Sequence, residues 1–192
     1  MEDKLYAFIM RGELTKVALN KTEVIGRHSS SDFLSQEYMK SLSLDLLDDE
    51  CVNSAKVMAT VYTAIAAFEN MVRKFVVKIL LEHKGESWWG QCVSEKIRRS
   101  AETRKKDEEK IKWHSHRGEL MINYVNFGDL ASIMAQNYEL FEDYIVSIDW
   151  SKQIFSTLER SRNVIMHSGE LGRRDIERIG TNIRDWISQV GV

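Results

Sequence analysis

Hydrophobic residues recur every three to four positions over most of the chain, which is the spacing of one face of an α-helix. The longest of these stripes begins after Ser54 and continues for about thirty residues without a break. It stops at Gly85, and glycine readily adopts the left-handed conformation that ends a helix. The pattern therefore predicts one long core helix from Ser54 to Lys84.

Further helical stripes follow this long helix. Residues 127–144 carry one stripe, residues 151–169 carry a second that Ser151 is expected to cap, and residues 176–190 carry a third. Residues 94–112 are dominated by Lys, Arg and Glu, which predicts a solvated helix or a basic arm. Four or five helices joined by short connections predict an all-α bundle.

The N-terminal quarter of the chain has a different texture. Residues 5–10 are apolar, residues 15–25 are rich in β-formers, and residues 28–32 read as a turn or linker. We therefore expect an N-terminal appendage over residues 1–48 and a helical domain over residues 49–192.

Composition narrows the class of protein. The chain has 192 residues, of which 43% are hydrophobic and 29% charged, and this excludes disorder as its main state. It has no proline, which favours uninterrupted helices, and its formal net charge of −2 means that any nucleic-acid site must be local. Two cysteines, no signal-peptide pattern and no apolar run of about 18 residues predict a cytoplasmic protein without a membrane segment.

The stretch with the most chemical information is the end of the penultimate predicted helix. Asn163 and His167 are four residues apart and share a helix face, whereas Arg162 lies about 140° round from His167. An arginine binds phosphate through paired donors, and a histidine transfers protons near neutral pH. These groups suit cleavage of RNA by its own 2′-hydroxyl, which needs no metal. A plain helix end, with His167 binding the last carbonyls, is the alternative.

The two groups bracket a surface and do not form a compact pair, so a second copy of the chain is of interest. If the same helix packed across a two-fold axis, both sets of groups would surround one cleft. Ser161 is small enough to allow that close approach.

Arg162-Asn163 followed by three residues and His167 resembles the signature of the HEPN superfamily, in which four to six residues separate an arginine from a histidine. Arg160 satisfies the longest spacing, and Arg162 is preferred because a polar residue follows it. The resemblance extends to Swt-type HEPN domains and covers roughly residues 50–190. The further landmarks that carry it are Glu69, Arg73, Gly85, Trp88, Trp89, Tyr124, Phe127, Asp129, Leu130 and Phe141.

The resemblance implies a homodimeric, metal-independent endoribonuclease without a cofactor, often a toxin or a phage-defence effector. Arg162, Asn163 and His167 would be catalytic, RNA would be the substrate, and an antitoxin or regulatory protein would be a further partner. Toxins that are paired with a nucleotidyltransferase carry a tyrosine two residues after the histidine, and this chain has Gly169 there. Two alternatives are an inactive HEPN module that binds a partner protein or a nucleotide, and a helical adaptor that docks through residues 1–48.

Four other residues have two interpretations each. Glu69 and Arg73 are four apart on the long helix, so they form either a surface ion pair or a support for the catalytic site. Arg160 is a further candidate for such a supporting role. Trp88 and Trp89 are either packing residues or a platform for RNA bases, and packing is favoured.

The basic stretch after the long helix is either a solvated face or a surface that tracks RNA. Its candidate RNA-binding residues are Lys96, Arg98, Arg99, Arg104, Lys105 and Lys106. Nearby, His114, His116, Cys92 and Glu119 lack the spacing of a metal site, so no metal is expected.

Overall fold

The computed structural model describes residues 37–191, so the predictions for residues 1–36 lie outside the described part. All regular structure in this range is helical, which confirms the all-α prediction. The division into an appendage of residues 1–48 and a helical domain stays a prediction. The α-helices described are α1 (Asp49–Lys84), α2 (Trp88–Cys92), α3 (Glu95–Glu109), α4 (Phe127–Gln136), α5 (Ile148–Met166) and α6 (Arg173–Val190).

Helix α1 is 36 residues long and begins five residues before the predicted start. In its first turn, the Asp48 carboxylate accepts the backbone N–H of Cys51 at 3.0 Å, and this hydrogen bond lowers the pKa of Asp48. At its other end Gly85 has a φ of +59°, as the helix-stop prediction requires. Although α1 is long, no helix within residues 37–191 has an apolar stretch that could cross a membrane.

Trp186 of α6 lies at the centre of the core and is fully buried. Its ring centre is 5.8 Å from that of Phe68 and 6.1 Å from that of Phe75, both on α1. Two residues of α5 contact the same indole: the ring centre of Phe155 lies 5.1 Å from that of Trp186, and Trp150 stacks on Trp186 at 5.5 Å. The aromatic cluster therefore joins α1, α5 and α6, the helices that position the site.

The start of α5 differs from the prediction. The cap is Ser147, whose hydroxyl accepts the backbone N–H of Trp150 at 3.1 Å, and the helix begins at Ile148. Ser151 lies inside the helix, fully buried, and donates to the carbonyl of Ser147 at 3.2 Å. The prediction that Ser151 caps the helix is wrong because two serines one turn apart both fit a capping pattern, and burial distinguishes them.

Helix α4 is also shorter than the predicted stripe over 127–144. It ends at Gln136, and the buried amide of Asn137 donates to the carbonyls of Ile133 at 2.8 Å and Cys92 at 2.9 Å. These bonds satisfy helix-end carbonyls from the side, so the chain can turn there. Burial raises the pKa of the Cys92 thiol, which keeps it protonated.

Residues 94–112 form a helix and not a mobile arm over most of their length. Helix α3 spans Glu95–Glu109, and it buries Ile97 and Ala101 against the core. Trp88 and Trp89 are partly buried against the same core, with their rings at 88° to one another, which supports the packing interpretation.

We expect Trp186→Ala to lower the free energy of unfolding by about 3–5 kcal/mol, because it removes a large ring from a close-packed cluster. Trp113→Ala is the matched control, since Trp113 is 86% exposed and its loss should change stability by less than about 0.5 kcal/mol. Urea denaturation followed by circular dichroism measures both. Equal effects of the two substitutions would contradict the description of the core.

Candidate functional site

A cleft of about 750 Å³ opens where α1, α3, α5 and residues 117–126 meet. Four arginines line it with one carboxylate, so its surface is positively charged even though the whole chain is slightly acidic. The charged and titratable residues that line the cleft are Glu69, Arg73, Arg104, Arg117, Arg162 and His167.

The carboxylate of Glu69 is the central group of the cleft. Glu69 is only 5% exposed, and its two oxygens accept Nη1 of Arg162 at 3.1 and 3.3 Å. Nη2 of Arg73 also donates to it. The interpretation of Glu69 and Arg73 as a surface ion pair is therefore wrong, because the pair is buried and includes a third partner from α5.

The two guanidinium groups that share Glu69 differ in how many of their nitrogens donate to the protein. Besides Glu69, Arg73 donates through Nη2 to the carbonyl of Val125 at 3.0 Å and through Nη1 to Asn70 at 3.1 Å. Arg162 uses Nη1 on Glu69, and its Nε and Nη2 make no hydrogen bond within residues 37–191. Its side chain is 26% exposed. Arg73 thus braces the site, whereas Arg162 keeps donors for a ligand.

His167 follows the last residue of α5 and is exposed at the rim of the cleft. Its backbone N–H, and not its ring, binds helix carbonyls, at 3.2 Å to Asn163 and 3.3 Å to Val164. Within the described range, its imidazole makes no hydrogen bond. The helix-end interpretation therefore does not account for the imidazole, which faces solvent.

The chain turns sharply immediately after His167. This turn fixes the position of the backbone from which the imidazole projects. The N–H of Ser168 binds the carbonyl of Ile165 at 3.0 Å, and that of Gly169 binds the carbonyl of Val164 at 2.8 Å. Ser168 takes the left-handed conformation at φ +59°, which is uncommon for a residue with a side chain. A Cβ on Gly169 would lie 2.8 Å from Cγ1 of Val164, so the turn requires glycine at this position.

The two arginines that fit the HEPN spacing point to different places. Arg162 lies beside Glu69, whereas Arg160 is exposed in a second, shallower hollow of about 520 Å³. Asn163 and His167 line both concavities, so they form the rim between them. This placement favours Arg162 over Arg160 as the arginine of the motif. The roles of these residues stay predictions.

The six predicted RNA-binding residues of α3 do not form one surface. Arg104 lines the cleft, whereas Arg98 donates to the carbonyl of Val93 at 3.1 Å and Lys105 to that of Glu119 at 3.2 Å. Because helix positions advance by about 100° per residue, the six side chains point in several directions. The others are Lys96, Arg99 and Lys106, which are exposed.

Ser161 is not available to a second copy of the chain. It is 7% exposed, and its hydroxyl donates to the carbonyl of Thr157 at 2.9 Å. Ser161 therefore does not provide the close approach of a second copy that its small size suggests, because this face of α5 is buried against its own bundle. The dimer itself stays a prediction. The outward face of α5 carries Ser156, Arg160 and Asn163.

Arg117 lines the cleft, although it is not one of the six candidate RNA-binding residues selected from the basic stretch. It lies in the connection after α3, where no helical period predicts which way a side chain points. The neighbouring Asn126 and Asp129 form a capping box at the start of α4, with N–H to side-chain bonds of 2.8 and 3.1 Å. Their three-residue spacing is a visible signal that would have placed the end of this connection.

The described residues contain no cluster of side chains suited to bind a metal ion. Between residues 37 and 191, no group of three or more His, Cys, Asp and Glu side chains is close enough to hold a metal ion. His114, His116, Cys92 and Glu119 do not come together in such a group.

A helical bundle with an arginine and a histidine five residues apart at the end of its penultimate helix is the arrangement of HEPN domains. The model of the Swt1-like HEPN family matches residues 63–191, about two thirds of the chain, and the chain belongs to this family. The matched segment contains every charged residue of the cleft. Searches of curated proteins and of solved structures returned no match.

We expect Glu69→Gln to lower the free energy of unfolding by about 2–4 kcal/mol, because it leaves two partly buried guanidinium groups without their carboxylate. Glu95→Gln is the matched control, since Glu95 and Arg99 are also four residues apart but are exposed by 66% and 76%. That change should cost less than about 0.5 kcal/mol. Chemical denaturation measures both, and equal costs would show that the Glu69 cluster is not central.

Proposed function

We propose that this protein is a metal-independent endoribonuclease that cleaves single-stranded RNA through Arg162, Asn163 and His167. Family membership supports a ribonuclease or nucleotide-related role. The observation that carries the proposal is the pairing of two groups in one basic cleft: a guanidinium held by buried Glu69, and an imidazole without a protein partner among residues 37–191.

The reaction would be a transesterification. The 2′-oxygen attacks the adjacent phosphorus, the bond from phosphorus to the 5′-oxygen breaks, and the products are a 2′,3′-cyclic phosphate and a 5′-hydroxyl. His167 would move a proton at one of these oxygens, which contributes about a hundred- to ten-thousand-fold. Nε and Nη2 of Arg162 would donate to the phosphoryl oxygens as charge develops on them. Asn163, which lines the cleft with both, would orient Arg162 and His167.

A second copy of the chain completes this scheme. The reaction removes one proton and adds another, while the cleft of one chain, over the described residues, contains a single imidazole. We infer a homodimer in which the outward face of α5 packs against its counterpart across a two-fold axis. The hollow beside Arg160 and Asn163 lies on that face, so the second His167 would enter from there.

We propose that the protein acts in the cytoplasm as a toxin or a phage-defence effector. A ribonuclease of this type would damage RNA of its own cell. It therefore needs an antitoxin or regulatory protein that restrains it.

A catalytically inactive HEPN module is the second candidate, and one observation favours it. Glu69 neutralises much of the charge of Arg162, which weakens its pull on a phosphorane. The cleft also falls within the range of about 300–1,000 Å³ that is usual for small-molecule sites, so it could hold a nucleotide.

We expect His167→Ala to lower the cleavage rate of single-stranded RNA at least a hundredfold, because it removes the proton-transfer group. Arg162→Lys should have a comparable effect, since lysine keeps a cation beside Glu69 but loses the planar fork. His114→Ala and Arg178→Lys are the matched controls, as both residues are exposed and lie outside the cleft and the hollow on α5.

The assay follows product formation on a labelled oligonucleotide with and without a chelator, and the chelator should have no effect. Wild-type cleavage rates in the His167→Ala protein would refute the catalytic proposal. Tight nucleotide binding without any cleavage would favour the inactive module.

The homodimer is tested by light scattering coupled to size-exclusion chromatography at micromolar concentration. Ser156→Glu should convert the dimer to a monomer and reduce cleavage, because a charge near a two-fold axis meets its own copy. Ser188→Glu on α6 is the matched control, since it also places a charge on an exposed helix position. A wild-type monomer that cleaves RNA would contradict the shared site.

A further inference from the structure

Besides Arg162, which acts in the proposed reaction, and Arg73, which braces Glu69, two more arginines line the cleft. Arg104 projects from α3, and Arg117 projects from the connection that follows it. Arg162 and His167 are carried by α5 and its end, so they enter the same cleft from a different element. The cleft therefore has a second pair of cationic groups.

Arg104 is held in place by one of its nitrogens. Nη1 donates to the carbonyl of Tyr124 at 2.5 Å and to the carboxylate of Asp129 at 3.1 Å. The guanidinium makes no other hydrogen bond within residues 37–191, and the side chain is 33% exposed. Asp129 itself does not line the cleft.

Arg117 is held in a similar way. Its Nε lies 2.7 Å from the carboxylate of Glu108, which also accepts its backbone N–H at 3.1 Å. Its guanidinium carbon lies 6.0 Å from the centre of the Tyr124 ring, within the range of a cation–π contact. Burial raises the pKa of Tyr124, which keeps the phenol protonated as the donor to Gly118 at 3.1 Å.

The two arginines share a feature that Arg73 lacks. Each is anchored through one nitrogen by a carboxylate that does not line the cleft, and the remaining N–H groups of each make no hydrogen bond within the described range. Arg73, in contrast, uses both terminal nitrogens on the protein. A guanidinium oriented in this way is a preorganised donor for phosphate oxygens.

We propose that Arg104 and Arg117 form a second phosphate subsite, which binds the phosphate next to the scissile one. This inference rests on the proposed ribonuclease function and specifies its substrate as a strand with at least two phosphates. Asn123 and Asn126 also line the cleft. Their uncharged amides suit the sugar hydroxyls and base edges of RNA. Of the six candidate RNA-binding residues of α3, only Arg104 belongs to this subsite.

The test compares cleavage of two substrates, a dinucleoside monophosphate with one phosphate and an unstructured 12-nucleotide RNA. Arg117→Ala should raise KM for the 12-nucleotide RNA about tenfold, the effect of one lost charged hydrogen bond, and leave kcat unchanged. It should not change kcat/KM for the dinucleoside monophosphate. Arg104→Gln, which keeps a donor for the Tyr124 carbonyl, should behave in the same way.

Arg173→Ala is the matched control for Arg117→Ala. Like Arg117, Arg173 is paired through Nε with a glutamate, Glu177 at 2.8 Å, but it lies on α6 and does not line the cleft. Its loss should leave both substrates unaffected. Equal loss of activity on both substrates in the Arg117→Ala protein, or no loss on either, would overturn the subsite.

Binding separates this inference from the ribonuclease proposal. A 12-nucleotide DNA has no 2′-hydroxyl and is not cleaved, so fluorescence anisotropy reports its affinity alone. Arg117→Ala should weaken binding about tenfold and reduce the slope of log K against log salt by about 0.7. If wild type cleaves neither RNA and this difference persists, the subsite stands and the ribonuclease proposal fails. If wild type cleaves RNA and Arg117→Ala binds DNA normally, the subsite fails alone.

Discussion

The buried carboxylate of Glu69 is the interaction on which the geometry of the cleft depends. It joins α1 to α5 through Arg162, and Arg73 carries the same cluster to the carbonyl of Val125. A carboxylate that is 5% exposed is stable only with charged partners, so the fold requires the arginines to stay where they are. The same contacts leave Nε and Nη2 of Arg162 without a hydrogen bond within residues 37–191, which links the stability of the bundle to its chemistry.

The end of α5 places the second functional group. His167 is the last residue before a turn in which Ser168 is left-handed and Gly169 contacts Val164 too closely for a side chain. Because the backbone satisfies the helix end by itself, the imidazole is left without a structural task. Glu69 and this turn therefore fix the two groups independently, one from the core and one from the surface.

Much of the fold followed from the spacing of apolar residues. The long α1 and its stop at Gly85 agree with the sequence, since each depends on neighbours close in the chain. For residues 95–109 the composition left a solvated helix or a basic arm open, and burial of Ile97 and Ala101 against the core selects the helix. The cap at Ser151 was predicted wrongly because Ser147, one turn earlier, fits the same local capping pattern and accepts the N–H of Trp150. The length of α4 was predicted wrongly because Asn137 acts through a contact with the distant carbonyl of Cys92.

The sequence by itself determined the all-helical class, the position of the Arg162 and His167 pair at a helix end, and the resemblance to HEPN domains. Only the tertiary structure decided that Glu69 is a buried partner of Arg162 and not half of a surface pair, and that Arg117 faces the same cleft as Arg104. The physical reason is distance along the chain: Glu69 and Arg162 are 93 residues apart, and their contact exists only after α1 and α5 have packed together.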